Sequence, residues 1–139
     1  MLLARLRQHD AERGAAAVEF ALVLPLYLLL LFGIVDFARA FNIQLTLSDA
    51  AAEGARTLAV GGTATAAHSA AGSALAATLV SPAEVTYPTT VTCPAAAAPG
   101  TATASMTVAT QDFQFLTPLI GSLVGDLTIS GTAARQCSN

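Results

Sequence analysis

Lysine and tryptophan are absent from the 139 residues, and charge of either sign is scarce. Six arginines stand against nine carboxylates, which gives a net charge of −3 and no basic patch of the kind that binds nucleic acid electrostatically. Charged residues are 11% of the chain. Typical soluble domains carry about a quarter, so an ordinary cytosolic enzyme is disfavoured. Hydrophobic residues are 54%, which excludes a disordered charged tail.

Recognisable catalytic and cofactor-binding motifs are also missing from the sequence. The two histidines are His9, in the basic N-terminal segment, and His68, which has no cysteine or carboxylate at a ligand spacing. There is no glycine-rich phosphate loop, no nucleophile elbow and no pair of carboxylates in a pocket-forming context. We therefore expect a protein that is not an enzyme and holds no metal or other cofactor, with both histidines at its surface.

Ala15–Val35 is a long apolar stretch in which Glu19 is the one charged residue. A helix of this length spans roughly 31 Å, close to the hydrocarbon thickness of a bilayer. The three arginines of the first 14 residues precede it, and positive charge stays on the cytoplasmic side of a membrane. The sequence therefore predicts a single-pass protein of the cytoplasmic (inner) membrane, with its N-terminus inside and residues 36–139 outside.

The helical pattern continues beyond the apolar stretch without a turn. Apolar residues recur at helical spacing at Phe37, Phe41, Leu45, Ala52, Ala55 and Ala59. We predict one transmembrane and stem helix over residues 15–60, ended by Gly61 and Gly62. Pro25 lies inside this helix and should kink it, because proline lacks the amide donor and crowds the preceding turn.

Residues 61–139 predict an extracytoplasmic α+β domain. Thr63–Val80 is rich in alanine and predicts a second helix, with Thr63 or Thr65 as its N-cap. Three stretches then alternate with period two, as strands do: Glu84–Cys93, Thr101–Thr110 and Asp126–Cys137. Phe113–Val124 predicts a loop or short helical turn with its phenylalanines inward. We expect a small three-stranded antiparallel sheet, with the long helix packed on one of its faces.

Pro88 lies inside the first predicted strand. Proline cannot donate a ladder hydrogen bond, so this position indicates an edge strand. Because alternate side chains point to the same face, Val85, Tyr87, Val91 and Cys93 are predicted to share the inward face.

Cys93 and Cys137 both lie in the part predicted to be outside the membrane, at the ends of strands. A disulfide is the natural pairing in an oxidising compartment. A simple meander would hold the first and third strands about 9.6 Å apart, beyond the roughly 7 Å between Cα atoms that a disulfide can bridge. Either these two strands are neighbours or the tail after Arg135 crosses over. Two unpaired buried thiols are the remaining alternative.

Glu19 carries the most specific information in the apolar stretch. Insertion of a charged residue at a helix centre costs about 2.5–3.5 kcal/mol. One interpretation places Glu19 at the headgroup boundary, only four residues past Ala15. The other requires a peptidase that cuts after Gly14. Glu19 then becomes the fifth residue of the mature chain, and the new α-amine of Ala15 in a neighbouring subunit can neutralise it within lipid.

A basic leader that ends in glycine, a glutamate five residues later, an aromatic residue and an apolar run together resemble the processing signal of type IV prepilins. Arg13–Arg56, RGAAAVEFALVLPLYLLLLFGIVDFARAFNIQLTLSDAAAEGAR, resembles the TadE-like minor pilins, or pseudopilins, of the tight-adherence (Flp-type) pilus. The later FQFLTPLIGSLVG is similar to the same group. Phe20 departs from the major Flp pilins, which usually carry tyrosine there and are much shorter.

The resemblance implies roles for the residues of this motif. Gly14 and Ala15 flank the bond cut by a prepilin peptidase, after a leader of residues 1–14. Glu19, followed by Phe20, is the carboxylate used in processing and assembly, and Pro25 is the kink of a pilin stem. The implied function is a minor pilin that joins a tight-adherence pilus or primes its assembly, in adhesion and secretion. The implied partners are the peptidase, other pilins, the pilus assembly platform and membrane lipid.

Two other interpretations fit the same N-terminal segment. Ala38, Arg39 and Ala40 form an A-x-A-like site after an apolar stretch, which is typical of a signal peptide ahead of a secreted soluble domain. Alternatively, the chain stays uncut as a single-pass anchor for an extracytoplasmic binding domain. The first residue of the mature protein distinguishes the three: Ala15, Phe41 or Met1.

Overall fold

The structure is a computed structural model that describes most of the chain. It describes residues 2–76, 78, 80–81, 84–94, 100, 102–110, 113, 115–116, 121–122, 124–125 and 127–138, with side chains from residue 14 onward. Thr101 and Asp126, predicted as the first residues of two strands, and most of the predicted loop over residues 94–100 lie outside these ranges.

The chain forms two helices followed by three strands, so the predicted α+β class is confirmed. The elements are α1 (Leu2–Ala59), α2 (Ala64–Leu75), β1 (Val85–Val91), β2 (Thr103–Thr110) and β3 (Ile129–Gln136). The strands form one antiparallel sheet in the order β1-β2-β3. Helix α1 begins earlier than predicted and includes most of the basic leader, whereas α2 ends five residues before Val80.

The chain divides into two compact units, Met1–Asp36 and Phe37–Asn139. The first unit consists of the N-terminal part of α1. The second, here called the exterior unit, contains the rest of α1, α2 and the whole sheet.

Helix α1 ends where the sequence predicts, at the paired glycines. Gly61 adopts φ of 85°, and its amide donates to the carbonyl of Leu58 over 3.1 Å. The amide of Gly62 donates to Thr57 over 3.0 Å, which completes a Schellman termination. Thr63 then caps α2, because its side-chain oxygen accepts from the Ala66 amide at 3.2 Å.

One face of α1, together with α2 and the inner face of the sheet, forms the core of the exterior unit. Its fully buried large side chains are Leu47, Leu58, Leu75, Met106 and Val108. The spacing of apolar residues from Phe37 to Ala59 thus predicted the helix correctly, but it did not predict which face of the helix is buried. Ala55 and Ala59 are buried, whereas Phe37, Phe41 and Leu45 are exposed.

Two glycines allow close contact between the elements of this core. A Cβ atom on Gly131 of β3 would overlap the backbone of Leu47 and Ser48 in α1. A Cβ atom on Gly54 of α1 would overlap the buried Met106 sulfur and stand 3.3 Å from the Ala67 carbonyl of α2. Glycine at these positions therefore brings α1 close to both β3 and α2.

The register of β1 corrects the predicted inward face of that strand. Thr86 pairs with Ala109 and Thr89 pairs with Thr107, so β1 carries one extra residue in the stretch that includes Pro88. A bulge of this kind reverses the alternation of side chains beyond it. Val85 and Tyr87 are half-buried as predicted, but Val91 is exposed and its prediction was wrong.

Candidate processing and assembly site

Gly14 and Ala15, the residues predicted to flank a cleavage site, lie within the continuous helix α1. Both are exposed, and a Cβ atom on Gly14 would meet nothing within 4 Å. The peptide bond between them is therefore accessible from the side but held in helical geometry. Glycine is about 1 kcal/mol less favourable than alanine inside a helix, so this bond lies at a weak point of α1.

Glu19 and Phe20 follow within one and a half turns and are exposed. In a regular helix, residues four apart lie on the same face, about 6 Å apart along the axis. Ala15 and Glu19 have this spacing. After a cut before Ala15, the new α-amine and the Glu19 carboxylate would therefore lie on the same face of the helix, one turn apart.

The surface of α1 beyond Glu19 is apolar on every side. From Val18 to Val35 all side chains are exposed except for the half-buried Gly33 position. Within the described residues, this is the helix long and apolar enough to cross a membrane. Exposed apolar patches of monomeric soluble proteins rarely exceed a few hundred Å². This surface therefore requires lipid or other apolar stems around it, which fits a membrane anchor.

The assigned helix continues through Pro25 without interruption. Proline removes the amide donor at position 25, so the carbonyl of Ala21 lacks its usual partner in the helix. The kink predicted at this position stays a prediction.

The motif and the sheet-packing face belong to one continuous length of helix. It runs from Gly14 past Glu19 to the buried residues around Ala51 and Ala55. Residues 14–56 match the family model of TadE-like proteins. The resemblance in the sequence is thereby confirmed for this TadE-like segment. It begins at the residue predicted to precede the cleavage site. Comparison with curated proteins and with solved structures gave no match.

The matched segment is 43 of the 139 residues, so the likeness to TadE-like proteins concerns helix α1 alone. The TadE-like segment stops at Arg56, so FQFLTPLIGSLVG lies outside it. Parts of that stretch also lie outside the described residues, but Gly121 and Ser122 are helical and Phe113 is buried, in agreement with the predicted turn.

Cys93 and Cys137 form a disulfide in the exterior unit, with 5.9 Å between their Cα atoms. The sheet is a simple meander, so of the two arrangements considered the second is present: the tail crosses over. After β3 ends, the Cys137 amide donates to Ala102 over 2.9 Å, and the Ser138 amide donates to Ala59 over 3.0 Å. The tail thus passes the start of β2 and reaches the end of α1, where it meets the cysteine that follows β1.

Two contacts in the exterior unit were not predicted from the sequence. The Arg39 guanidinium lies 5.7 Å from the centre of the Phe113 ring, and the His68 ring stacks on Tyr87 with 4.2 Å between ring centres. The Tyr87 hydroxyl also donates to the His68 carbonyl over 3.3 Å. Each contact joins residues far apart in sequence, and no local spacing signals it.

His68 therefore has a structural position rather than the simple surface position expected of it. Its Nε2 lies 3.0 Å from the Thr90 hydroxyl, so it joins α2 to β1. Burial raises the pKa of the Tyr87 phenol beside it above the ordinary value. Among the described residues no group of three or more histidine, cysteine or acidic side chains could hold a metal ion.

Proposed function

We propose that this protein is a minor pilin, or pseudopilin, of a tight-adherence pilus. A prepilin peptidase cuts it after Gly14, and the mature chain joins the pilus or primes its assembly. The observation that carries the proposal is the match of residues 14–56 to TadE-like proteins, which begins at Gly14 and includes Glu19 at the prepilin spacing. The exposed apolar length of α1 supports it, because one helix surface can serve first as membrane anchor and then as polymer core.

Processing also changes the charge that holds the chain in the membrane. The leader contains three of the six arginines, and the residues after Gly14 contain three arginines and seven carboxylates. The mature chain thus has a net charge of −4 and has lost the positive segment that fixes its N-terminus at the cytoplasmic face. An assembly platform could then extract it more easily.

Glu19 gives this assembly a register. Within one chain, the Ala15 α-amine and the Glu19 carboxylate stand one helical turn apart, about 6 Å along the axis. A neighbouring stem displaced by that distance brings its own amine level with this carboxylate. The pair neutralises two charges that would each be unfavourable in an apolar surrounding.

The signal-peptide alternative has less support. It places a cut after Ala40, inside α1, where Ala40 and Ile43 are half-buried against the core of the exterior unit. That cut would leave the core-packing residue Ile43 in the first turn of the mature chain, at an end that frays. Cleavage after Gly14 leaves this packing intact.

The test is the N-terminus of the protein recovered from cells with and without a prepilin peptidase. We expect Ala15 when the peptidase is present and Met1 when it is absent. Phe41 under both conditions would favour a secreted domain, and Met1 under both would favour an uncut anchor.

Gly14→Val adds a matched test of the cleavage site. The β-branched side chain crowds the bond that must enter the peptidase, so we expect the uncut form to accumulate in the membrane. Gly33→Val is the control, because Gly33 also lies in α1 with nothing within 4 Å of a Cβ atom. Normal processing of Gly14→Val would contradict the proposal.

A further inference from the structure

The exterior unit carries exposed apolar residues at the end where its chain begins. Phe37 and Phe41 lie in the first turns of α1 within this unit, and Leu116 and Val124 lie between β2 and β3. All four are exposed, Phe37 to 74%. We call these four residues the proximal apolar surface.

A chain of contacts places the segment between β2 and β3 beside the start of the unit. Phe113 lies against Arg39, and the Phe115 ring meets Phe113 edge-on with 5.0 Å between ring centres. Gly121 lies beside Phe115, because a Cβ atom at position 121 would stand 3.6 Å from the Phe115 ring. Leu116 is next to Phe115 in the chain, and Val124 is three residues past Gly121. These contacts therefore place both residues in the part of the exterior unit near Arg39.

The end of this segment closes on the same helix positions. The Phe113 amide donates to the Leu127 carbonyl over 3.4 Å, which brings the two ends of the segment together. Leu127 lines one groove together with Phe37, Ala40 and Phe41. Both ends of the segment are therefore held next to the first turns of α1 in the exterior unit.

The sequence of the segment suits a membrane surface. Phe113–Gly125 contains no charged residue and is flanked by Asp112 and Asp126. Seven of its thirteen residues are phenylalanine, leucine, isoleucine or valine. Phenylalanine and leucine are among the residues that interfacial membrane-binding segments place at the boundary between headgroups and acyl chains.

The position of the proximal apolar surface along the chain favours lipid as its partner. Phe37 and Phe41 are two and six residues past Val35, the last apolar residue of the stretch, which is about 3 and 9 Å along a helix. Each headgroup layer is roughly 5–8 Å thick, given a hydrocarbon core of about 30 Å in a bilayer of 40–45 Å. If Ala15–Val35 spans the membrane, both side chains therefore lie in or at the edge of that layer.

We infer that the proximal apolar surface binds the outer phospholipid headgroup layer of the membrane that α1 crosses, and so holds the exterior unit against that membrane before assembly. The inference rests on the proposed function for its membrane anchor. It adds a second, separate contact with lipid, made by the exterior unit.

The unit provides matched controls at its other end. Val60 and Val91 are exposed to 66% and 46%, similar to Val124 at 56% and Leu116 at 52%. Val60 is 19 residues past Phe41, about 28 Å along the helix within the exterior unit, and Val91 pairs with Ser105 at the end of the sheet remote from Thr110.

The experiment places one cysteine at a time in the full chain, at Leu116, Val124 or Val60, with Leu28→Cys as a marker for the anchor. Cys93 and Cys137 are bonded to each other, so each variant has one reactive thiol for an environment-sensitive fluorophore. One label per chain also confirms that the native disulfide has formed. The proteins are reconstituted in vesicles of phosphatidylethanolamine and phosphatidylglycerol, and fluorescence is quenched by aqueous iodide or by a nitroxide on the lipid headgroup.

We expect labels at positions 116 and 124 to be quenched several-fold less by iodide than the label at position 60, and to be quenched by the headgroup nitroxide. Suppose that iodide quenches the labels at 116 and 124 as strongly as the label at 60, while the label at 28 is protected by lipid. This result would overturn the inference but would still support α1 as a membrane anchor. Protection that disappears as the ratio of lipid to protein rises would assign the surface to a second copy, which also overturns it. A Leu28 label open to iodide would refute the anchor and the inference together.

Discussion

Gly131 of β3 lies directly against Ser48 of α1, and a Cβ atom at position 131 would stand 2.6 Å from the Ser48 Cα atom. The atoms in the way belong to helix backbone, which cannot move aside as the end of a side chain can. We expect Gly131→Ala to destabilise the exterior unit by about 3 kcal/mol, at the upper end of the usual range for overpacked cores. Faster hydrogen exchange of the β2 and β3 amides, with the chain in lipid, would measure it.

Gly72→Ala is the matched control for this variant. Gly72 lies inside α2, where a Cβ atom would meet the Tyr87 hydroxyl at an ordinary 3.7 Å. The same substitution should therefore stabilise the unit, by up to about 1 kcal/mol, through helix propensity. Equal effects of the two substitutions would show that contact between α1 and β3 does not depend on glycine.

The Cys93–Cys137 disulfide should be complete in protein isolated without reductant. It joins residues 44 apart, and the loop-entropy treatment gives about 4 kcal/mol of stabilisation for a closed loop of that length. We expect intact protein to take up no maleimide until it is reduced, and two equivalents afterwards, as measured by mass spectrometry. Two labelled thiols in unreduced protein would show that the bond does not form in the cell.

Tyr87 should make the exterior unit sensitive to alkaline pH. Burial raises the pKa of this phenol in the folded state above the unfolded value of 10.0, so folding favours the protonated form. Its contribution is complete below that value and is lost as the pH rises through the folded pKa. The free energy of unfolding should therefore fall more steeply above about pH 10 in the wild type than in Tyr87→Phe.

Tyr87→Phe isolates this effect because it keeps the ring that stacks on His68. It loses the hydrogen bond to the His68 carbonyl, which should cost about 1 kcal/mol at neutral pH. The second tyrosine, Tyr27, is present in both proteins and cancels in the comparison. Parallel pH profiles for the two proteins would contradict the assignment.

The features that the sequence predicted well are those encoded by neighbouring residues. The helix stop at Gly61, the cap at Thr63 and the alternation that buries Met106 and Val108 all depend on local spacing. Val91 was assigned to the wrong face because a bulge adds one residue to β1, and alternation alone cannot locate such a residue.

The buried face of α1 could not be predicted from apolar spacing for a similar reason. Its close contacts are made by glycine and alanine, whereas the large residues Phe37 and Phe41 point outward. The contact between Arg39 and Phe113 joins positions 74 apart, and only the tertiary fold brings them together. The motif from Gly14 to Glu19, in contrast, is read from six consecutive residues, so its identification did not depend on the fold.

Glu19 is the residue whose substitution most directly tests pilus assembly. A cut after Gly14 creates an α-amine on Ala15, a basic group that can pair with this carboxylate in a neighbouring stem. Glu19→Ala should keep or improve membrane insertion, because an unfavourable charge is gone from the apolar stretch. It should abolish co-purification with other pilins, and with it piliation and surface adherence. Glu19→Asp should be intermediate, since its carboxylate is one methylene shorter.

Glu84→Ala, which removes an exposed carboxylate of the exterior unit, should change none of these properties. A cleavage assay on each variant separates a loss of processing from a loss of assembly. Unchanged partner association and adherence in Glu19→Ala would mean that Glu19 is a residue of the headgroup boundary, and that neutralisation of its charge does not drive assembly.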